Sequence, residues 1–126
     1  MALKGVKDMP TMFGKFCRVL RINKSEVLRD MAKKLCVSSS YLSAVENGKR
    51  PIPQDWYNKI IVLYGLSSNE SDELADVIYR TRNEVSFELD RFSKDDGDMI
   101  IAFARKFSDL EDGEKILLED LFKRRT

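Results

Sequence analysis

Two short runs of apolar residues at helical spacing, separated by only a few polar residues, constrain the fold of this chain more than any other feature. The runs cover residues 28–35 and 39–47, and each places its apolar side chains on one helix face. Ser25 is available as the N-cap of the earlier helix, and Ser38 as the N-cap of the later one. Gly48 can take the left-handed conformation that ends a helix. The sequence therefore predicts two helices joined by a tight turn.

Similar patterns predict three further helices around this pair. A first helix covers residues 12–22, and a fourth helix begins near Trp56 and is stopped by Gly65. Ser67 and Glu70 fit a capping box, which starts a fifth helix. We expect the first 82 residues to form a compact all-α domain with Trp56 in its core.

The pattern changes after the fifth helix. Residues 85–89, VSFEL, alternate apolar and polar side chains, which predicts a short strand. Helical spacing returns over residues 100–107 and 117–122, and Ser108 with Glu111 fits a second capping box. The predicted fold is therefore all-α, with a five-helix domain followed by a short strand and two C-terminal helices that dimerise.

Charge is divided unevenly along the chain. Residues 1–66 carry 12 Lys and Arg against 5 Asp and Glu, whereas residues 67–126 carry 10 against 16. A basic half joined to an acidic half suggests that one half faces a polyanion. We expect an N-terminal arm over 1–11, a domain over 12–82 and a C-terminal dimerisation or interaction extension over 83–126.

Composition argues against several function classes. The chain has no His, and Cys17 and Cys36 lack the spacing of a zinc site, so neither a metal nor a cofactor is expected. Both thiols are expected to be buried and reduced. No nucleophile, base and oxyanion-hole arrangement can be assembled, so we do not expect an enzyme. There is no apolar run of roughly 20 residues and no apolar segment at the N-terminus, which predicts a cytoplasmic protein without membrane contact.

Residues 28–52 read LRDMAKKLCVSSSYLSAVENGKRPI and resemble the helix-turn-helix of the lambda repressor/Cro-like family, also called the xenobiotic-response-element family. The matching positions are Ala32, Val37, Ser38, Leu42, Val45 and the run Glu46-Asn47-Gly48. The resemblance extends over residues 13–79. It implies a five-helix DNA-binding domain whose third helix lies in the major groove.

The resemblance also implies roles for individual side chains. Those expected to meet base edges are Ser39, Ser40, Ser43 and Ala44, and those expected to lie against phosphates are Ser38, Asn47, Lys49 and Arg50. Tyr41 either stacks on the DNA or covers the turn. Arg21 and Glu46 are expected to form a structural ion pair, because a buried acid needs a partner.

Two positions depart from the family pattern. Leu28 stands where the family commonly has a phosphate-binding Gln, so we expect that contact from Lys24, Ser25 or Arg29 instead. Cys36 stands where the turn commonly has Gly, which is tolerable if the backbone there is not left-handed. Ser and Ala are weak readers of bases, so specificity is also expected from DNA shape and from the basic arm.

These features predict a transcriptional regulator that binds double-stranded DNA and acts as a repressor at the nucleoid. One helix-turn-helix covers one half-site, so a homodimer on an inverted-repeat operator is expected. The candidate dimer interface consists of Val85, Phe87, Leu89, Ile100, Phe103, Phe107, Leu121 and Phe122. The alternative is an antitoxin or other protein-interaction module that binds a partner protein through its acidic C-terminal half and also binds its own promoter.

Overall fold

The computed structural model of the chain describes residues 9–124, and this part is helical with no strand. It forms two compact units, divided between Val85 and Ser86. The helices of the first unit are α1 (Met12–Asn23), α2 (Leu28–Lys34), α3 (Ser39–Glu46), α4 (Trp56–Tyr64) and α5 (Ser68–Arg82). The prediction of an all-α fold with five helices before residue 83 is confirmed.

The apolar faces of these five helices meet in one core. α1 packs against α3 and α5, α2 packs against α3, and α4 packs against α5. Phe13 and Cys17 of α1, Leu42 of α3, and Trp56 and Ile60 of α4 are buried. Because α3 contacts both α1 and α2, one of its faces is fixed in the core and the opposite face is left open.

Each helix of the first unit is followed by a residue in the left-handed region of the backbone map. These residues are Ser25, Cys36, Gly48, Gly65 and Asn83. The prediction that Ser25 caps α2 is therefore wrong, because Ser25 takes the left-handed position that ends α1. At the start of α2, a carboxylate oxygen of Asp30 accepts the backbone N–H of Val27 at 2.8 Å instead.

Cys36 completes the end of α2 in the same way. Its N–H donates to the carbonyl of Lys33 and the N–H of Val37 donates to the carbonyl of Ala32, both at 3.0 Å, which is the Schellman arrangement. Cys36 was expected to be tolerated in place of Gly if its backbone was not left-handed. Its φ is 59°, which is left-handed, so the residue is strained. Cys36 is also exposed, so the prediction of a buried thiol holds only for Cys17.

The second unit contains the helices α6 (Lys94–Lys106) and α7 (Asp112–Lys123), and 3-10 turns over Leu89–Arg91 and Phe107–Asp109. The predicted capping box of Ser108 and Glu111 is wrong. Ser108 lies inside the second 3-10 turn, and α7 begins later. Glu111 is the N-cap, and its N–H donates to the Glu114 carboxylate at 2.9 Å.

The predicted strand over residues 85–89 is also wrong. Residues 84–88 have no regular secondary structure, and Leu89 begins a 3-10 turn. A strand needs a neighbour that receives its backbone hydrogen bonds, and the described part of the chain offers none. The alternating apolar side chains make local contacts instead, since the rings of Phe87 and Phe92 meet edge to face with centroids 6.3 Å apart.

Two further predictions concern the ends of these units. Residues 1–8, which include Lys4 and Lys7 of the predicted basic arm, lie outside the described residues. The predicted boundaries after residues 11 and 82 stay predictions.

Within residues 9–124, no helix is both long enough and apolar enough to cross a membrane.

Candidate nucleic-acid interface

The open face of α3 forms a shallow depression of about 390 Å³ together with the start of α2 and the loop after α3. The residues lining it are Leu28, Ser39, Ser40, Ser43, Ala44, Asn47 and Lys49. The four side chains predicted to meet base edges therefore share one surface with two that are predicted to lie against phosphates. The serine hydroxyl groups on this surface can both donate and accept hydrogen bonds.

Ser38 fixes the start of α3. Its backbone is extended, and its Oγ accepts the N–H of Tyr41 at 3.0 Å. The half-buried ring of Tyr41 packs edge to face on Trp56, with centroids 6.1 Å apart. The guanidinium carbon of Arg50 lies 6.0 Å from the centroid of the same ring. The ring of Tyr41 therefore covers the core beside the turn, and its stacking on DNA stays a prediction.

The loop after α3 folds two cationic residues back onto the end of the helix. The N–H groups of Lys49 and Arg50 both donate to the carbonyl of Ala44, at 2.8 and 3.3 Å. Gly48 allows this reversal because its φ is 77°. Both side chains are exposed, and Lys49 lines the depression on α3, whereas Arg50 does not.

A buried ion pair joins α1 to α3. Nη1 of Arg21 donates to Oε2 of Glu46 at 2.5 Å, and Nη2 donates to Oε1 at 3.1 Å. Burial by itself lowers the pKa of Arg21, but the hydrogen bonds and charge of Glu46 outweigh it and raise the pKa above its ordinary value. The same Nη1 lies 3.2 Å from Sδ of Met31 in α2. The pair therefore links three helices at one point of the core.

Backbone contacts also tie the start of α1 to the end of α3. The N–H and hydroxyl of Thr11 both donate to the carbonyl oxygen of Glu46, at 2.9 and 3.0 Å. A Cβ added to Gly14 would lie only 2.2 Å from that oxygen. Neither Thr11 nor Gly14 was predicted from the sequence to have a role at this site. The available signal was a glycine inside a helical pattern, where glycine costs about 1 kcal/mol relative to alanine.

Comparison with known proteins identifies the first unit. A family model described as a helix-turn-helix domain matches residues 13–74. Residues 13–74 form a helix-turn-helix domain. The match agrees with the resemblance to the lambda repressor/Cro-like family. No curated protein and no solved structure matches the chain at a significant level.

Within the helix-turn-helix domain, α2 and α3 are the two helices and residues 35–38 form the turn. The alternative phosphate contacts Lys24 and Ser25 lie exposed between α1 and α2, and Arg29 is exposed in the first turn of α2. Leu28 lines the depression beside the serines of α3. Leu28 was predicted to lie on the apolar face of α2 and to lack the phosphate contact of a Gln, but its place in the depression was not predicted.

The residues predicted to dimerise lie outside the helix-turn-helix domain. Seven are exposed, namely Val85, Phe87, Leu89, Phe103, Phe107, Leu121 and Phe122, and Ile100 is half-buried. The rings of Phe103 and Phe107 contact each other, with centroids 5.2 Å apart. In the described part of the chain, no cluster of three or more His, Cys, Asp and Glu side chains is placed to hold a metal ion.

Proposed function

We propose that this protein is a sequence-specific transcriptional regulator that binds double-stranded DNA as a homodimer and represses at an inverted-repeat operator. The observation that carries the proposal is the open face of α3, where Ser39, Ser40, Ser43 and Ala44 share one depression inside a helix-turn-helix domain. Side chains on this helix are the ones that reach base edges when such a domain docks in the major groove. The proposal is for a binding protein of the cytoplasm and nucleoid, with no catalytic role.

The two kinds of contact have separate sources in this proposal. The serine hydroxyls read base edges, whereas Lys49 and Arg50 at the end of α3 neutralise phosphates. The N-terminus of α3 also favours a nearby phosphate, because the first N–H groups of a helix lack acceptors within the helix. Phosphate contacts fix the position of α3 along the DNA. The serine hydroxyls therefore meet defined bases, although serine discriminates only weakly between bases.

Dimerisation is supported by the second unit. In its helices α6 and α7, Gly97 is the one buried residue among those described. Many large apolar side chains there are exposed, including Phe103 and Leu121 at 45% each. A segment this short buries too little apolar surface to be stable by itself, which favours packing of its apolar side chains against a partner. A second copy of the chain provides one and also places two helix-turn-helix domains on two half-sites.

A second candidate function rests on the same exposed surface. The net charge of residues 67–126 is −6, and an acidic apolar surface also suits a basic partner protein. The protein would then be an antitoxin or similar interaction module that binds its own promoter. The two candidates differ in what covers α6 and α7.

Selection of bound sequences from random duplex DNA by the purified chain tests the proposal. We expect an inverted repeat with half-site centres about one helical turn apart, bound by a dimer with a steep dependence on salt. Light scattering of Phe103→Asp should show a monomer, whereas Val62→Asp, at an exposed apolar side chain of the first unit, should leave the mass unchanged. A monomeric wild-type chain that selects no sequence would contradict the proposal and favour the interaction module.

A further inference from the structure

The depression on α3 has an apolar wall as well as hydroxyl groups. Leu28 at the start of α2 and Ala44 on α3 both line it, beside Ser39, Ser40 and Ser43. Leu28 is half-buried and packs against the core, and these contacts fix the position of its side chain. The surface of Leu28 that remains open lines the same depression as the serine hydroxyls.

The chemistry of this surface fits one base better than the others. In the major groove, only thymine presents an apolar group, its C5 methyl, and it carries the O4 acceptor next to that methyl. Guanine is usually read by Arg or Lys, and adenine by a bidentate Asn or Gln. Arg and Gln are not among the lining residues. Lys49 is among them, but it is the proposed phosphate contact, and Nδ2 of Asn47 lies within hydrogen-bond reach of Oγ of Ser43, at 3.4 Å. Serine hydroxyls can donate to O4 while the aliphatic wall receives the methyl.

We propose that Leu28 is a specificity-determining residue that, with Ala44, packs against the C5 methyl of thymine in each half-site. The occupant of the depression is then the edge of an A·T pair, recognised through its methyl group. This inference rests on the proposed function and names thymine as the base that the depression on α3 selects. It gives Leu28 a role in base reading in place of the phosphate contact that a Gln would make there.

Replacing single thymines of the selected operator by deoxyuridine tests the inference with the wild-type chain. Deoxyuridine keeps Watson–Crick pairing and removes only the methyl group. We expect one or two thymines in each half-site at which the change weakens binding about fourfold, the effect of withdrawing one buried methyl group. The remaining thymines should show no effect. If no substitution in the half-sites weakens binding, the inference is wrong.

Variants then assign the methyl contact to Leu28. Leu28→Met keeps an aliphatic side chain and should keep the ratio of the affinities for the thymine and deoxyuridine duplexes. Leu28→Gln should bring that ratio closer to one, with the part that depends on Ala44 remaining. Arg50→Ala is the matched control, because it should weaken binding to both duplexes equally and leave their ratio unchanged. Thermal unfolding of each variant checks that the domain remains folded. An unchanged ratio in a folded Leu28→Gln protein would mean that Leu28 does not contact the methyl group.

The outcomes separate this inference from the function on which it rests. A selected operator whose half-sites contain thymines without methyl sensitivity overturns the inference alone. A selected operator without thymine in its half-sites does the same. Absence of any selected sequence overturns both.

Discussion

The carbonyl oxygen of Glu46 lies so close to Gly14 that it leaves no room for a side chain there. A Cβ at Gly14 would lie 2.2 Å from that oxygen, well inside contact distance. The same oxygen accepts two hydrogen bonds from Thr11. The approach of α1 to the C-terminal end of α3 therefore depends on the absence of one carbon atom.

Gly14→Ala is expected to destabilise the first unit by about 1–3 kcal/mol, because the added methyl forces the backbone of α1 away from α3. Urea unfolding followed by far-UV circular dichroism measures the change. Gly97→Ala is the matched control, since a Cβ there meets nothing within 4 Å and alanine favours a helix. Equal stability of the Gly14→Ala and wild-type proteins would mean that the close approach is not maintained in solution.

Breaking the buried pair should be costly, while replacing both of its members should be less so. Arg21→Met leaves the buried charge of Glu46 with only the longer contact to Arg18, whose Nε lies 3.9 Å from Oε1, and is expected to cost about 3 kcal/mol. Adding Glu46→Gln to Arg21→Met should recover part of this loss. Removing Arg80 from its exposed pair with Asp76 is the control, and should cost about 0.3–0.5 kcal/mol. A double-mutant cycle by urea unfolding measures the coupling, and additive losses would speak against a direct interaction.

Cys36→Gly is expected to stabilise the domain by about 1 kcal/mol. Cys36 takes a left-handed conformation that costs a non-glycine residue about 1–2 kcal/mol, and part of the gain is offset by the greater freedom of glycine in the unfolded chain. Cys36→Ala keeps the strained backbone and should change stability little. Melting temperatures under reducing conditions compare the three proteins. A Gly variant no more stable than the Ala variant would contradict the assignment of strain.

Lowering the pH should remove the contribution that the Glu26 carboxylate makes to the free energy of unfolding. Burial raises the pKa of Glu26, but hydrogen bonds from Lys34 and Tyr64 outweigh it and lower the pKa below the ordinary value of 4.5. The stabilisation is therefore fully present above about pH 4.5 and is lost as pH falls through the folded pKa. Glu26→Gln should cost about 1 kcal/mol at pH 7 and progressively less below pH 4.5.

Unfolding free energies measured from pH 7 down to pH 3 follow this difference. Tyr64→Phe removes one of the two donors to Glu26, whose hydroxyl lies 2.7 Å from the carboxylate. The pH dependence should therefore be smaller in that background. A difference between wild type and Glu26→Gln that does not change with pH would show that the carboxylate charge is not what stabilises this contact.

Base reading and phosphate binding should respond to different substitutions. Ser39→Ala with Ser40→Ala is expected to reduce the preference for the selected operator over random DNA by about 1 kcal/mol for each hydrogen bond lost. Arg50→Ala should weaken binding to both kinds of DNA and lower the slope of log affinity against log salt by about one. Titrations at several salt concentrations separate the two effects. Retained preference in the double serine variant would leave direct reading by these hydroxyls unsupported.

The helices could be predicted from the sequence because their apolar spacing and end residues act locally. The capping box of Ser67 and Glu70 is formed as predicted, with hydrogen bonds of 2.9 and 3.2 Å. The left-handed Gly48 and Gly65 could be predicted for the same reason. Local rules failed where two patterns compete for one residue, as at Ser25, whose side chain suits an N-cap while its backbone ends the preceding helix.

Contacts between distant segments were harder to predict. Alternation in residues 85–89 indicated a strand, but alternation cannot say whether a second segment is present to pair with it. The close approach at Gly14 joins residues 32 positions apart in the sequence. The sequence around Gly14 does not predict that its neighbour is Glu46. The place of Leu28 in the depression likewise depends on the angle between α2 and α3, which apolar spacing does not determine.

The groups that hold α3 in place are separate from the groups that it presents outward. Its position depends on Glu46, on the buried Leu42 and Val45, and on a backbone carbonyl. Ser39, Ser40 and Ala44 take no part in this attachment. If α3 reads DNA as proposed, substitutions at these three positions should change which operator is preferred with little loss of stability. New binding preferences would then be accessible to this scaffold by single substitutions that need no compensating change elsewhere.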